Sequence, residues 1–397
     1  MYSLRSLAEK TLTRKTSGRA LIPEIDGLRS IAIISVVLFH ASANYAYYTD
    51  HLVQDSVIDR VMVALLQTGE YGVPLFFTIS GFILALPFAS HHLYEQRKPS
   101  LKRYFTRRLT RLEPPYIFCL FVLAAKAVIE SGALTDPGKL GSIGQHLLAS
   151  MFYVHTPIFG NSEPILAVAW SLEVEVQFYI LAPVLCMVFM LTPIVRRTVL
   201  VLATLVVSWF FGVEKPIVGP YLIHQLPYFL VGLLFADLYL TKLRHEETTR
   251  EAWMWDLAAL ATLLGVFVLK MLHFAPTLVT PWLILAGYIA VFRGGLVRRF
   301  FAALPLVILG GMCYTIYLWH FVVIAGYRIV YFKVFDPSPT WIDRTIYIVT
   351  ASIVAVAFSA VLFVLIERPT MDPKWPQKLA VFLRLRKPEQ ASSGRSS

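Results

Sequence analysis

The chain has 397 residues, of which 57% are hydrophobic, 14% aromatic and only 15% charged, and its mean hydropathy is +0.63. Soluble domains carry about 25% charged residues, so this composition excludes an ordinary water-soluble protein and indicates a chain solvated mainly by lipid. The net charge of +11 suits anionic lipid headgroups, and no nucleic-acid-binding motif accompanies it, so no nucleic-acid partner is expected.

Apolar runs approaching the roughly 20 residues that cross a bilayer recur at 28–47, 71–89, 112–129, 166–191, 198–212, 221–240, 254–272, 276–292, 301–325 and 344–366. They lack the period-2 alternation of barrel strands, and in hydrocarbon each backbone polar group must be satisfied within its own segment, so these runs are expected to be helices. The expected fold is all-α: one polytopic bundle of about ten transmembrane helices over 23–370, between a basic N-terminal segment 1–22 and a polar tail 371–397. The first 20 residues are polar and basic and the first apolar run lacks a small-residue cleavage site, so that run is expected to remain as an anchor. Cys119, Cys186 and Cys313 each fall within a span and far apart, which argues against a disulfide framework. The longest connection, 130–165, contains GQHLLASMFYVHTPIFG and is expected to hold an amphipathic or re-entrant piece at the interface.

Basic residues are distributed unevenly between the two sets of connections. Of 36 Lys and Arg, 27 fall in 1–27, 90–111, 192–197, 241–253, 293–300 and 367–397, against seven in the intervening set. The positive-inside rule then predicts that both termini are cytoplasmic.

Polar groups inside apolar spans are costly and mark function more often than packing. Four stretches carry them. In EIDGLRSIAIISVVLFHA, residues 24–41, Arg29 and His40 are eleven residues apart, which is about 20° from a shared helix face and about 16 Å of axial rise. Asp26 can pair with Arg29 or cap the helix start; the bland alternatives are a snorkelling Arg29 and a packing His40. In RKPSLKRYFTRRLTRLEPPY, residues 97–116, Arg107, Arg108 and Arg111 belong to a basic cluster able to grip phosphates of a soluble anion, or alternatively to anchor lipid headgroups. Pro114-Pro115 is expected to disrupt or kink the start of the following span. In AWSLEVEVQFY, residues 169–179, Ser171, Glu175 and Tyr179 share one face, with Glu173 and Gln177 on a neighbouring stripe. In YTIYLWHF, residues 314–321, Tyr314, Tyr317 and His320 form a polar seam at i+3 steps, for which an interfacial aromatic belt is the alternative.

These stretches, together with YGVPLFFTISGFIL and the closing IERP, resemble in order and rough spacing the membrane-bound acyltransferase 3 family over about residues 23–370. The resemblance implies a ten-helix bacterial inner-membrane enzyme that moves an acyl group, usually acetyl, from cytosolic acetyl-CoA or another acyl-CoA to a hydroxyl of an extracytoplasmic or lipid-linked carbohydrate. The family's arginine-x10-histidine signature falls on Arg29 and His40, its basic motif on Arg107, Arg108 and Arg111, and its W-S-L-x-x-E motif on Trp170, Ser171 and Glu175. Pro74 stands where the family's second motif usually has an acid, and Val176 where many members have a second glutamate. The extracytoplasmic SGNH domain of many relatives is not expected here.

Acyl transfer needs a base for the hydroxyl proton, an oxyanion stabiliser and a site for the anionic leaving cofactor. His40 is expected to be the base, oriented by Glu175 or by Tyr317 and His320; a transient acyl-His40 relay is the variant. The three arginines are expected to hold the CoA phosphates, with no metal required. A transporter or flippase using the same polar residues is the alternative reading, and it calls for paired broken half-helices that the sequence does not display. The acceptor stays open among lipopolysaccharide O-antigen, other polysaccharides, peptidoglycan, lipid-linked oligosaccharides and small hydrophobic alcohols.

Overall fold

The computed structural model describes residues 12, 21–49, 57–160, 164–212, 221–243, 251–272, 276–335, 340–372 and 375. The expected segments 1–22 and 371–397 therefore lie almost entirely outside the described residues. The described residues are mostly helical, with no strand among them. Among the described residues nine helices are long and apolar enough to cross a membrane, and Thr277–Arg293 is a shorter apolar helix. The chain is an all-α polytopic membrane protein.

The helices that build the interior are α1 (Pro23–Thr49), α2 (Val57–Gln67), α3 (Gly72–Tyr94), α4 (Leu101–Ser131), α5 (Pro137–Met151), α6 (His155–Phe159), α7 (Trp170–Leu185), α8 (Pro193–Gly212) and α9 (Leu222–Leu238). They are followed by α10 (Ala252–Met271), α11 (Pro276–Arg293), α12 (Leu296–Phe301), α13 (Leu304–Gly311), α14 (Cys313–Val334) and α15 (Trp341–Leu362). One apolar cluster centres on α3 and α9, with α7 and α11 against them; a second joins α1, α4, α14 and α15.

Small residues set the closest crossings, as expected where lipid gives no hydrophobic drive between helices. A Cβ on Gly81 of α3 would lie 2.4 Å from the Phe229 carbonyl oxygen of α9, and one on Gly232 would lie 2.4 Å from that of Thr78. Gly27 and Gly310 play the same part where α12 and α13 press on the start of α1, since a Cβ on Gly310 would lie 1.8 Å from the Asp26 carbonyl oxygen.

Two expectations are corrected. The apolar run 301–325 is not one span: α13 ends at Gly311, Met312 is the non-helical joint, and α14 begins at Cys313. The break is compensated by a distant carboxylate, because Glu367 accepts from both the backbone N–H (3.1 Å) and the hydroxyl of Thr315 and so caps the start of α14. That gives the glutamate of IERP a structural task. Pro114 and Pro115 do not break α4, which runs unbroken from Leu101 after an N-cap by Ser100 to a left-handed cap at Gly132. Within the long connection 130–165, α5 is capped by Asp136 with Pro137 at its first turn, and its last turn is tied to α4 by the Tyr116 hydroxyl, which donates to the Ser150 carbonyl at 3.0 Å.

Candidate active site

Two adjacent cavities lie in the interior. The first has a volume of about 100 Å³ and is lined by Arg29 from α1, Ser80 from α3, Arg108 and Arg111 from α4, Ser171, Glu175 and Tyr179 from α7, and Cys313, Tyr314 and Tyr317 from α14. The second has a volume of about 190 Å³ and is lined by Phe39 and His40 from α1, by Glu70, by Trp170 and by Tyr317 and Phe321 from α14.

The first cavity is cationic. Arg29 is held by Asp26 one turn earlier (2.8 Å), leaving its remaining N–H donors for other partners. Arg108 sits over the Tyr179 ring at 5.6 Å, and the buried Nε of Arg111 has no hydrogen-bond partner among the described residues. Glu175 is the acid among the lining residues, and it accepts a 2.5 Å hydrogen bond from Ser80. With Arg29 matched by Asp26, Arg108 and Arg111 against Glu175 leave a site with an excess of positive charge, suited to a phosphate or thiolate. Arg107 lies elsewhere, exposed and outside both cavities. On a helix, residues 108 and 111 flank one face, whereas 107 is rotated 40° beyond 111 and lies a turn nearer the helix start.

His40, which lines the second cavity, is backed by the buried His320. Nε2 of His320 lies 3.1 Å from Nδ1 of His40, and Nδ1 of His320 lies 3.0 Å from the Ile316 carbonyl and 2.8 Å from that of Tyr317. Carbonyl oxygens only accept, so Nδ1 of His320 carries the proton; in the neutral ring its Nε2 is then an acceptor, and His40 donates from Nδ1. That leaves the lone pair of His40 on Nε2. Phe39 and Phe321 pack against the His40 ring at 5.1 and 5.4 Å.

The polar stripe Ser171, Glu175 and Tyr179 thus faces the first cavity together with Tyr314, whose hydroxyl donates to the Leu112 carbonyl at 2.9 Å. Trp170 turns to the second. The Tyr317 hydroxyl does not touch His40; it meets Ser171 Oγ at 2.7 Å and donates to the Val168 carbonyl. Orientation of His40 falls to His320 rather than to Glu175, which lies in the other cavity. Glu173 leaves the site altogether: it is buried and accepts the backbone N–H groups of His155 and Thr156, each at 3.0 Å, at the start of α6. Beside it, His155 Nε2 lies 2.8 Å from His146 Nδ1, and burial followed by the neighbouring imidazole lowers the His155 pKa.

The sequence reading did not single out Glu70, Ser80 or Val73. Glu70 closes one side of the second cavity while paired with Lys270 of α10 at 2.6 Å. A lone acid just ahead of an apolar span was the available signal for it, and a serine inside TISGF the signal for Ser80. Among the described residues no group of three or more His, Cys, Asp or Glu could hold a metal ion.

Known proteins bear on this geometry. The chain is 26% identical over 347 residues to the O-acetyltransferase OatA of Staphylococcus aureus strain NCTC 8325, covering 79% of this chain and 52% of that protein. It is 28% identical over 183 residues to the peptidoglycan O-acetyltransferase OatA of Listeria monocytogenes, covering 43% of this chain and 25% of that one. The chain thus spans about half the length of the staphylococcal relative it matches. No solved structure matches. Residues 22–364, which carry every element of both cavities, match the family described as acyltransferase domain, and the chain belongs to that acyltransferase 3 family.

Proposed function

We propose that this protein is a membrane O-acetyltransferase that takes an acyl group from cytosolic acyl-CoA and delivers it to a hydroxyl of an extracytoplasmic or lipid-linked glycan. The observation that carries the reading is the succession of two chemically different cavities along one helix, with Arg29 in the first and His40 in the second. The names of the relatives support acetyl as the acyl group, and the Listeria protein's name supports a cell-wall glycan as acceptor.

The 3′-phosphate and pyrophosphate of CoA are the anions that Arg108 and Arg111 suit, with the orphaned Nε of Arg111 as one available donor. The excess of basic residues in one set of connections supports a cytoplasmic position for this end of the molecule, on the side where acyl-CoA is made. The pantetheine arm runs from there past Arg29 toward His40, over the roughly 16 Å that separate residues 29 and 40.

At His40, Nε2 takes the proton of the acceptor hydroxyl as its oxygen attacks the thioester carbonyl carbon. The new C–O bond forms, the C–S bond breaks, and the proton passes from Nε2 to the departing sulfur to give free CoA thiol. His320 holds His40 in the tautomer this requires and, through its own two carbonyl contacts, stays fixed while the ring charges and discharges. Trp170, Phe39 and Phe321 give the second cavity flat apolar walls against which the C–H face of a sugar can stack, and Glu70 provides an acceptor for neighbouring hydroxyls.

Membrane vesicles given acetyl-labelled acetyl-CoA test the reading. The expected result is time-dependent release of free CoA thiol with label appearing in glycan, abolished in His40→Ala. No chain-dependent consumption of acetyl-CoA would overturn it.

A further inference from the structure

The two cavities share two lining residues, Val73 of α3 and Tyr317 of α14, so this pair stands between Arg29 on one side and His40 on the other. Both are buried. The phenol is fixed at its tip from both sides: Ser171, whose Oγ is 2.7 Å away, lines the first cavity, and Val168, whose carbonyl accepts the phenolic proton, lines the second. With its hydrogen given to Val168 and a bond shared with Ser171, the hydroxyl is directed away from His40.

We infer that Val73 and Tyr317 form a septum between the donor and acceptor cavities, held shut by the bonds of the Tyr317 hydroxyl and opened by the pantetheine arm as it carries the thioester to His40. The inference rests on the donor and acceptor assignments proposed above and adds a barrier to them. A thioester at His40 with its phosphates on Arg108 and Arg111 has to cross the boundary that these two residues occupy. Moving the phenol breaks two hydrogen bonds, and an arm carrying amide groups can replace them with its own. With the arm absent, the shut septum keeps water and ions from running between the two sides of the membrane. With it present, the arm fills the gap, so the thioester meets the acceptor hydroxyl before it meets water.

Tyr317 is therefore a positioning residue, and its loss should uncouple the reaction. Water then replaces the acceptor: its proton goes to His40 Nε2, its oxygen bonds to the thioester carbon, and the C–S bond breaks to give a free carboxylate and CoA thiol.

Cys313 supplies a readout independent of acyl chemistry. It is partly exposed and lines the first cavity, whereas Cys119 and Cys186 are buried and line neither. A small membrane-impermeant methanethiosulfonate is applied to vesicles of each orientation holding the full chain, with Cys313→Ser marking the background. In the unaltered chain, modification of Cys313 from the face opposite the arginines is expected to be at background. Tyr317→Ala should raise that rate at least tenfold, and Tyr317→Phe and Ser171→Ala, which remove only the anchoring bonds, should raise it by smaller factors. Acceptor-independent CoA release should rise several-fold in the same variants. Modification from the opposite face in the unaltered chain, or a background rate in a Tyr317→Ala protein that still elutes as a single species, overturns the septum. Failure of acetyl-CoA to protect Cys313 in the unaltered chain would instead overturn the donor assignment, and the sidedness of labelling would still decide the septum.

Discussion

The two cavities differ in what they do with charge. The first gathers Arg29, already paired with Asp26, and Arg108 and Arg111 around Glu175, while the second is lined by the His40 imidazole, aromatic walls and a Glu70 already matched by Lys270. A base that accepts a proton becomes a cation, and three guanidinium groups beside it would oppose that step. At an effective dielectric of 20 a unit charge 5 Å away costs about 3 kcal/mol, whereas at 16 Å it costs about 1 kcal/mol before screening. Three turns of α1 separate Arg29 from His40, and Arg108 and Arg111 of α4 line only the first cavity, a separation that suits the proposed anion site beside a neutral base. Neither cavity alone can perform acyl transfer.

The contrast is broken most completely at His40. Replacing it with alanine removes the proton acceptor and should lower turnover by about 10²- to 10⁴-fold while acyl-CoA binding is retained, measured by CoA release beside direct donor binding. A protein that still transfers acetyl at near-normal rate would place the base elsewhere. His320→Ala should lower kcat by about 10²-fold with little change in KM, because His40 then loses the acceptor that fixes its tautomer. His320→Gln, whose amide oxygen can accept from His40 Nδ1, should recover part of that loss; a merely space-filling role would make alanine and glutamine alike.

The arginines sharpen the other half of the comparison. Arg111→Ala and Arg108→Ala should each raise the apparent KM for acyl-CoA by about 10- to 100-fold, since a hydrogen bond to a charged group contributes about 1.5–3 kcal/mol. Arg107→Ala should leave it within about twofold, because that side chain faces away from the cavity. Equal effects at all three positions would indicate a diffuse basic surface rather than a built site.

Much of this arrangement was legible in the sequence, for reasons particular residues show. The i+4 spacing of Ser171, Glu175 and Tyr179 and the near-integral three turns from Arg29 to His40 are properties of a single helix, and a helix keeps its periodicity whatever packs around it. What escaped depends on distant partners. The joint at Met312 is stabilised by Glu367, 52 residues beyond the threonine it caps, and hydropathy reads straight through it. The division into two cavities arises where α3, α7 and α14 meet, so no local pattern separates the Tyr317 that anchors on Ser171 from a tyrosine that orients His40. Arg107 lies outside the first cavity because it is 40° beyond Arg111 and a turn nearer the helix start, where it is exposed.

Glu173 and Glu175 bring the comparison down to two residues. Both are acids of the same helix, yet Glu175 faces the first cavity while Glu173 accepts two backbone N–H groups at the start of α6 and touches no cavity. Glu173→Gln keeps an oxygen for one of those donors and replaces the other with an amide that cannot accept, so a buried N–H loses its partner. The expected cost is about 1–3 kcal/mol of stability, seen as a lower Tm in detergent, with kcat and both KM values within about twofold. Glu175→Gln should do the reverse, since its place is among the arginines: a small change in Tm with a clear change in the KM for acyl-CoA. If instead Glu173→Gln lost turnover at unchanged Tm, the acid at the foot of α6 would have to be counted with the site, and the boundary drawn between architecture and chemistry on α7 would move by half a turn.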